Sequence, residues 1–255
     1  MADIIVPAIE QAIKLIMSGD PEFYATIYRS LYVAGIGTLL SCIWSIPIAV
    51  GLGLYNFRGK WVIKGIFNAL IGIPTVALGL LMFLILYRRG EFGSLHLLYT
   101  LNGMAISIAI LVTPIIVSFT ANALSTADTQ LRDLAKTLGA SGLRTNLTII
   151  RETIWSLVLS VTASFNRGMG ELGIATIVGG SILGNGTLFS GTRVLTTAIA
   201  LQINFGDFYI AMAYGMILMA IVIAIALAIA LFERIRSEDW PSSKFFMWRG
   251  MAGGS

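Results

Sequence analysis

Arg167 and Glu171 stand four residues apart in the run 153–180, which holds no other charged residue. Four residues is the spacing at which two side chains meet on one helix face. A helix starting near Thr153 carries Arg167 about 21 Å along its axis at 1.5 Å per residue. Deep in an apolar medium a lone charge costs several kcal/mol, so a partner or water is required. Two readings stay open: a self-neutralising structural pair, or a pair lining a polar path. Gly168, Gly170 and Gly173 surround it, compatible with close helix packing or with a local break in the helix. Other chemistry is thin. One cysteine, Cys42, excludes an internal disulfide and a cysteine-based metal cluster. One histidine, His96, in a loop, leaves no histidine pair for a metal. Gly59-Lys60-Trp61 is only a fragment of a phosphate-cradling Gly-x-x-x-x-Gly-Lys-Ser/Thr loop, so ATP is not bound here. The spans offer no paired carboxylates and no nucleophile beside a base, which argues against an intramembrane enzyme.

The elements that carry Arg167 and Glu171 follow from composition. Of 255 residues 56% are hydrophobic and 12% charged, and the mean hydropathy is +0.85. Soluble domains carry about a quarter charged residues, so a disordered chain is excluded and an integral membrane protein is expected. The net charge of +4 is too modest to imply nucleic acid. Five apolar runs are long enough to cross a bilayer: Tyr28–Tyr55, Trp61–Tyr87, Asn102–Ala121, Thr153–Gly180 and Phe208–Phe232. They are continuous rather than alternating, and lipid demands internally satisfied amides, so an all-α multi-pass protein is predicted. The opening Met1–Gly19 is not a signal peptide, because Asp3, Glu10 and Lys14 interrupt it. Ile5, Ile9, Ala12, Ile13 and Ile16 share one face, suiting a helix along the membrane surface. Asp20-Pro21 then reads as an N-cap and first helical position.

An odd span number puts the termini on opposite sides. Arg58, Lys60, Lys64, Arg132, Lys136, Arg144, Arg151, Arg234, Arg236, Lys244 and Arg249 fall on one side, eleven in all. Lys14, Arg29, Arg88, Arg89 and Arg193 fall on the other. The positive-inside rule makes the first side, with the C-terminus, cytoplasmic, and the N-terminus external. Trp61, Trp155, Trp240 and Trp248 sit at the cytoplasmic boundaries expected of amphipathic rings. Gly65, Gly72 and Gly79, seven apart, would lie along one face of the second span and let another helix approach. Pro47, Pro74 and Pro114 would each kink one span. The organisation is therefore a lead-in over 1–27, a membrane domain over 28–232 and a tail over 233–255.

The loop between the third and fourth spans, 125–146, is long for a connection between membrane helices. A helical piece is expected from about Asp128 to Leu138, where Leu131, Leu134, Ala135 and Leu138 make one apolar stripe and Gly139 stands where a C-cap glycine would. That stripe would enter a partner's groove or fold back on its own bundle; the spacing does not choose.

Asp133-Leu134-Ala135, then Gly139-Ala140-Ser141, with Ile149 ten beyond the glycine, resembles the coupling loop of ABC importer permeases, usually written EAA followed by G. Asp replaces the family's Glu, Leu its first Ala, and Arg151-Glu152 the Leu-Pro that often closes the motif. Phe165 to Gly173 resembles the Arg-x-x-Gly-Glu-x-Gly segment of oxyanion permeases. Gly179-Gly180 and the stretch Thr192 to Leu201 resemble the tungstate-specific branch. The resemblance implies a type I importer permease fold of the MetI-like kind, in the plasma membrane, working as a homodimer. It implies two ATP-binding cassette subunits, which would bind ATP and Mg, and an extracytoplasmic oxyanion-binding protein; this chain would hold no cofactor. It assigns ATPase coupling to Asp133, Leu134, Ala135, Leu138, Gly139, Ala140, Ser141 and Arg144. Asn166 or Arg167 would then offer donors to a tetrahedral dianion on the dimer axis, with Glu171 keeping the site from holding it too tightly. Thr192 is expected to cap a short interfacial helix running to about Gln202, with Arg193 near the outer mouth. The alternatives keep the mechanism with molybdate or another oxyanion, or make the chain a secondary transporter with Arg167 and Glu171 as its ion-coupling pair; that second alternative calls for inverted repeats, which five unequal spans do not supply.

Overall fold

The computed structural model describes residues 2–137 and 141–238, with side chains described for 6–127 and 141–232. Helix α1 (Ala2–Met17) is followed by α2 (Pro21–Leu54), whose first turn is built as its residues dictate: the Asp20 carboxylate accepts the Glu22 N–H at 3.0 Å and Pro21 needs no amide partner. At 1.5 Å per residue the 34 residues of α2 reach about 51 Å. Helices α3 (Lys60–Leu70) and α4 (Thr75–Leu86) follow, then α5 (Leu101–Thr137). Helices α6 (Gly142–Glu152), α7 (Ile154–Met169) and the short α8 (Gly173–Ile177) lead to α9 (Leu195–Phe205) and α10 (Phe208–Glu238). Three of these, Pro21–Leu54, Leu101–Ala127 and Phe208–Phe232, are long and apolar enough to cross a membrane, or up to five if each bent pair counts as one span.

Two compact units are distinguished, 1–219 and 220–255. Within the first, the core is α2 laid along α5, with α7 against both. Val33, Met104, Ile108, Val112 and Ile116 pack there, joined by Leu78 and Met82 from α4 and Ile174 from α8. Glycine is required where the last turn of α2 crosses α5, because a Cβ on Gly53 would stand 2.5 Å from the Leu124 Cβ. Within the spans, hydroxyls bond across helices, Ser41 to Thr113 at 3.0 Å and Thr120 to Ser160 at 2.9 Å. Such bonds add directional contact where lipid supplies no hydrophobic drive between helices.

Three expectations are corrected. The second predicted span is two helices bent by 98°, because Pro74 has no amide to continue the ladder and forces the residue before it out of helical conformation. Gly65 and Gly79 therefore do not share one face of one helix; of the two, Gly79 meets a close neighbour, Ile174, and Gly65 meets none. The third span does not stop at Ala121 to begin a separate helix at Asp128, since α5 continues to Thr137 without interruption. Its apolar and polar parts use one continuous hydrogen-bond ladder, which composition alone does not interrupt. The fourth span ends at Met169, not Gly180. Gly170 closes α7 by donating to the Asn166 carbonyl at 3.2 Å, and five helical residues follow after the break.

Candidate functional site

Arg167 occupies the last turn of α7 and Glu171 the break after it. Their guanidinium and carboxylate meet at 3.2 Å, the arginine side chain 39% exposed and the glutamate 2%. Glu171 is further committed. Its second oxygen accepts the Ile174 N–H at 3.2 Å, capping α8, and its carbonyl accepts the Thr196 hydroxyl at 2.9 Å. A Cβ on Gly173 would stand 3.2 Å from Glu171 Oε1, from Thr75 Oγ1 and from Val76 Cγ2. The first turn of α4 therefore lies against the break between α7 and α8, and the interruptions of two spans coincide at one buried carboxylate. Asn166, one residue before Arg167, holds its side-chain oxygen buried without a hydrogen-bond partner in the described structure. Its amide is thus not consumed by the fold, and its two ends exchange by rotation. The arrangement offers an exposed guanidinium edge and a free amide beside a carboxylate that tempers them.

Thr192 and Arg193 lie together just before α9, and the threonine does not take the capping role expected of it. The Thr192 hydroxyl accepts the Ile182 N–H at 3.0 Å and donates to the Gly179 carbonyl, so it closes the base of the loop 182–192. Helix α9 instead starts at Leu195. Thr197 satisfies the Val194 N–H at 3.0 Å, and the Ser30 hydroxyl accepts the Leu195 N–H at 2.8 Å. A threonine two residues too early cannot reach those amides while its oxygen is held elsewhere. Arg193 is half-buried, with its Nε buried and unpaired among the described residues.

A second ion pair went unread in the sequence. Glu22 and Arg29, two turns apart on α2, meet at 2.6 Å, and the arginine side chain is wholly buried. Arg29 also donates to the carbonyls of Leu188 at 2.9 Å and Thr187 at 2.8 Å, while Glu22 accepts the N–H groups of Gly184 at 3.1 Å and Gly186 at 2.9 Å. The pair staples the loop 182–191 to the head of the first span. The helix start at Asp20-Pro21 already puts both residues on one face, but seven residues is two turns, beyond the three- and four-residue spacings at which helix neighbours are read as pairs.

Of the residues assigned to coupling, Leu138, Gly139 and Ala140 lie outside the described residues, as do the side chains of Asp133, Leu134 and Ala135 and the tail from 239 with Trp240 and Trp248. Ser141 is the residue before α6 and Arg144 lies in its first turn, both exposed. Helix α6 buries Ile149 against Leu54 and Leu124 and leaves Leu143 and Leu147 exposed beside Arg144. Among the described residues, no group of three or more His, Cys, Asp or Glu could hold a metal ion.

The family model of binding-protein-dependent transport system inner membrane components matches residues 45–237. The tungstate uptake system permease protein of Peptoclostridium acidaminophilum is 36% identical over 214 residues, 84% of this chain and 91% of that one. The protein of the same description from Campylobacter jejuni is 30% identical over 219 residues, 86% of this chain and 89% of that one. A molybdate/tungstate transport system permease protein of Pyrococcus furiosus is 28% identical over 160 residues, 62% and 61% of the two chains.

Proposed function

The chain belongs to the binding-protein-dependent transport system inner membrane components, a multi-pass transport permease subunit and not an enzyme, and from that premise we propose that it forms the membrane channel of an ATP-driven tungstate importer. Two copies would enclose the path, two ATPase subunits would bind ATP and Mg, and an extracytoplasmic receptor would deliver the anion. The cargo is supported by the two tungstate permeases that align over more than four fifths of the chain. Molybdate is the second reading, favoured by the Pyrococcus relative, whose description names both anions.

The observation that carries the proposal is the coincidence of two helix breaks at Arg167, Glu171 and the uncommitted Asn166. Half-helices meeting inside a membrane protein recur at transport sites, because irregular backbone is tolerated there only where it is buried or lines a cavity. Arg167 would donate to the oxyanion from its exposed edge, and Asn166 would add an amide donor. Glu171, already paired, would keep the dwell time short, since a path must release what it binds.

Force would enter through 125–146, for which the excess of Lys and Arg on that side supports a cytoplasmic location. Helix α5 continues unbroken from the membrane core to Thr137, so motion at that end would pass directly along the helix that packs on α2. Asp133, Leu134, Ala135, Leu138, Gly139, Ala140, Ser141 and Arg144 would seat on the ATPase, helped by exposed Leu143 and Leu147. Thr192 and Arg193 would stand at the outer mouth.

The deciding experiment is uptake of labelled tungstate into proteoliposomes holding this chain with its ATPase and receptor, with molybdate and sulfate as competitors. ATP-dependent accumulation, lost when the ATPase is omitted, is the expected result. Accumulation by the chain alone refutes the proposal, and molybdate outcompeting tungstate replaces the cargo.

A further inference from the structure

Helix α3 contains no buried residue although it lies inside a membrane protein. Its bend of 98° turns it across the axis of α4, as an interfacial helix lies across a spanning one. Phe67 packs on the cluster of Ala49, Leu52, Val117 and Ala121, and the opposite side presents Trp61, 85% exposed, with Val62 and Ile66. Lys60 and Lys64, one turn apart, share the Phe67 side. The Lys60 ammonium donates to the Gly53 carbonyl at 3.3 Å and to Asn56 Oδ1 at 3.2 Å. The Lys64 ammonium donates to the Ser125 hydroxyl at 3.0 Å, and that hydroxyl lies 3.2 Å from the same Gly53 carbonyl. Two cations are thus gathered on one network of neutral acceptors. Among the described residues the ion pairs are Glu22–Arg29 and Arg167–Glu171, and neither lysine joins one. Beside them runs an open apolar groove of about 400 Å³, lined by Ile48, Gly51, Leu52, Tyr55, Phe57 and Ile63.

We infer that this corner binds an anionic phospholipid, its phosphate between Lys60 and Lys64 and an acyl chain along the groove. Each part follows from what is present. Among the described residues the lysines lack a counter-charge, and a phosphodiester supplies one. The groove holds no polar side chain except the Tyr55 phenol, and hydrocarbon fills such a surface without leaving a donor unpaired. Trp61 is the amphipathic ring that sits at headgroup level. A zwitterionic lipid brings its own cation to the same place and competes with the lysines, so selectivity for net-anionic headgroups is expected. The site adjoins Ser125, where the 125–146 segment begins. In the orientation proposed above, on which this point rests, the lipid belongs to the cytoplasmic leaflet and steadies the root of the coupling segment.

The test is native mass spectrometry of the delipidated full chain in detergent, titrated with phosphatidylglycerol, phosphatidylcholine or inorganic phosphate. Wild type is expected to hold phosphatidylglycerol in preference to phosphatidylcholine. Lys60→Gln/Lys64→Gln should weaken that binding about 30-fold, the factor corresponding to about 1 kcal/mol for each lysine near an anionic surface. Lys60→Arg/Lys64→Arg should retain it, and it keeps the test decisive if the glutamine variant folds poorly. Arg88→Gln/Arg89→Gln, at the opposite end of α4, should leave it unchanged. Equal binding of the two lipids, undiminished binding by a folded glutamine variant, or loss in the arginine variant overturns the assignment. Displacement of the lipid by inorganic phosphate overturns it in favour of a soluble-anion site. Binding in detergent needs neither ATPase nor cargo, so its failure leaves the transport reading standing and the converse holds equally.

Discussion

Removing the Glu22 carboxylate should release the loop 182–191 from the head of α2. Glu22→Ala takes away the partner of a fully buried guanidinium and the acceptor for two loop amides, Gly184 and Gly186. Breaking a buried ion pair by deleting one member costs about 3–5 kcal/mol. The lower end applies here, because the glutamate side chain is 19% exposed and Arg29 keeps the carbonyls of Thr187 and Leu188. A loss of about 3 kcal/mol in local stability corresponds to about 100-fold faster hydrogen exchange for those two amides. Glu22→Gln keeps the shape and one acceptor but turns its NH2 toward two donors and leaves the guanidinium without a counter-charge, so about 2 kcal/mol and an about 30-fold change are expected. The double variant Glu22→Ala/Arg29→Leu should cost less than the two single changes together, since no unpaired charge remains. Exchange mass spectrometry over 182–191 in detergent reads all of these. Wild-type exchange in both single variants would show that the staple holds nothing, and strict additivity would show that charge pairing is not its basis.

Gly53→Ala drives a methyl into Leu124 and should destabilise the bundle by about 1–3 kcal/mol, read as a lowered unfolding temperature. Thr197→Val should cost about 1 kcal/mol through the lost cap of α9, whereas Thr192→Val leaves the Ile182 amide and Gly179 carbonyl unpaired and should cost about 2–3 kcal/mol; the reverse order in thermal unfolding would contradict the reassigned cap. Arg167→Ala should cut oxyanion transport in proteoliposomes by more than about tenfold but also leaves the buried Glu171 carboxylate without its cation, so the double variant Arg167→Ala/Glu171→Gln should recover dimer yield on size exclusion without recovering transport. Gly139→Trp should uncouple ATP hydrolysis from uptake in the assembled transporter, and normal uptake would count against docking through that segment.

The membrane class, the helical state and the first cap could be read from residues alone, because hydrocarbon imposes a length and a self-satisfied backbone on any span. Asp20-Pro21 announced α2, and Arg167 and Glu171 announced their own pairing, because both depend on residues within one turn. Where helices stop was less legible. Pro74 was visible as a kink but not as a bend of 98°, and Gly170 left packing and breakage equally open, since the outcome depends on what the freed backbone meets in space. The capping of α9 and the Glu22–Arg29 staple needed the fold itself. Ser30 lies 165 residues from the amide it satisfies and Arg29 158 from the Thr187 carbonyl. Contacts at such separation leave no period in a sequence. They exist only once α2 and the loop 182–191 have been brought side by side, and burial then makes every unpaired donor and charge too costly to leave alone.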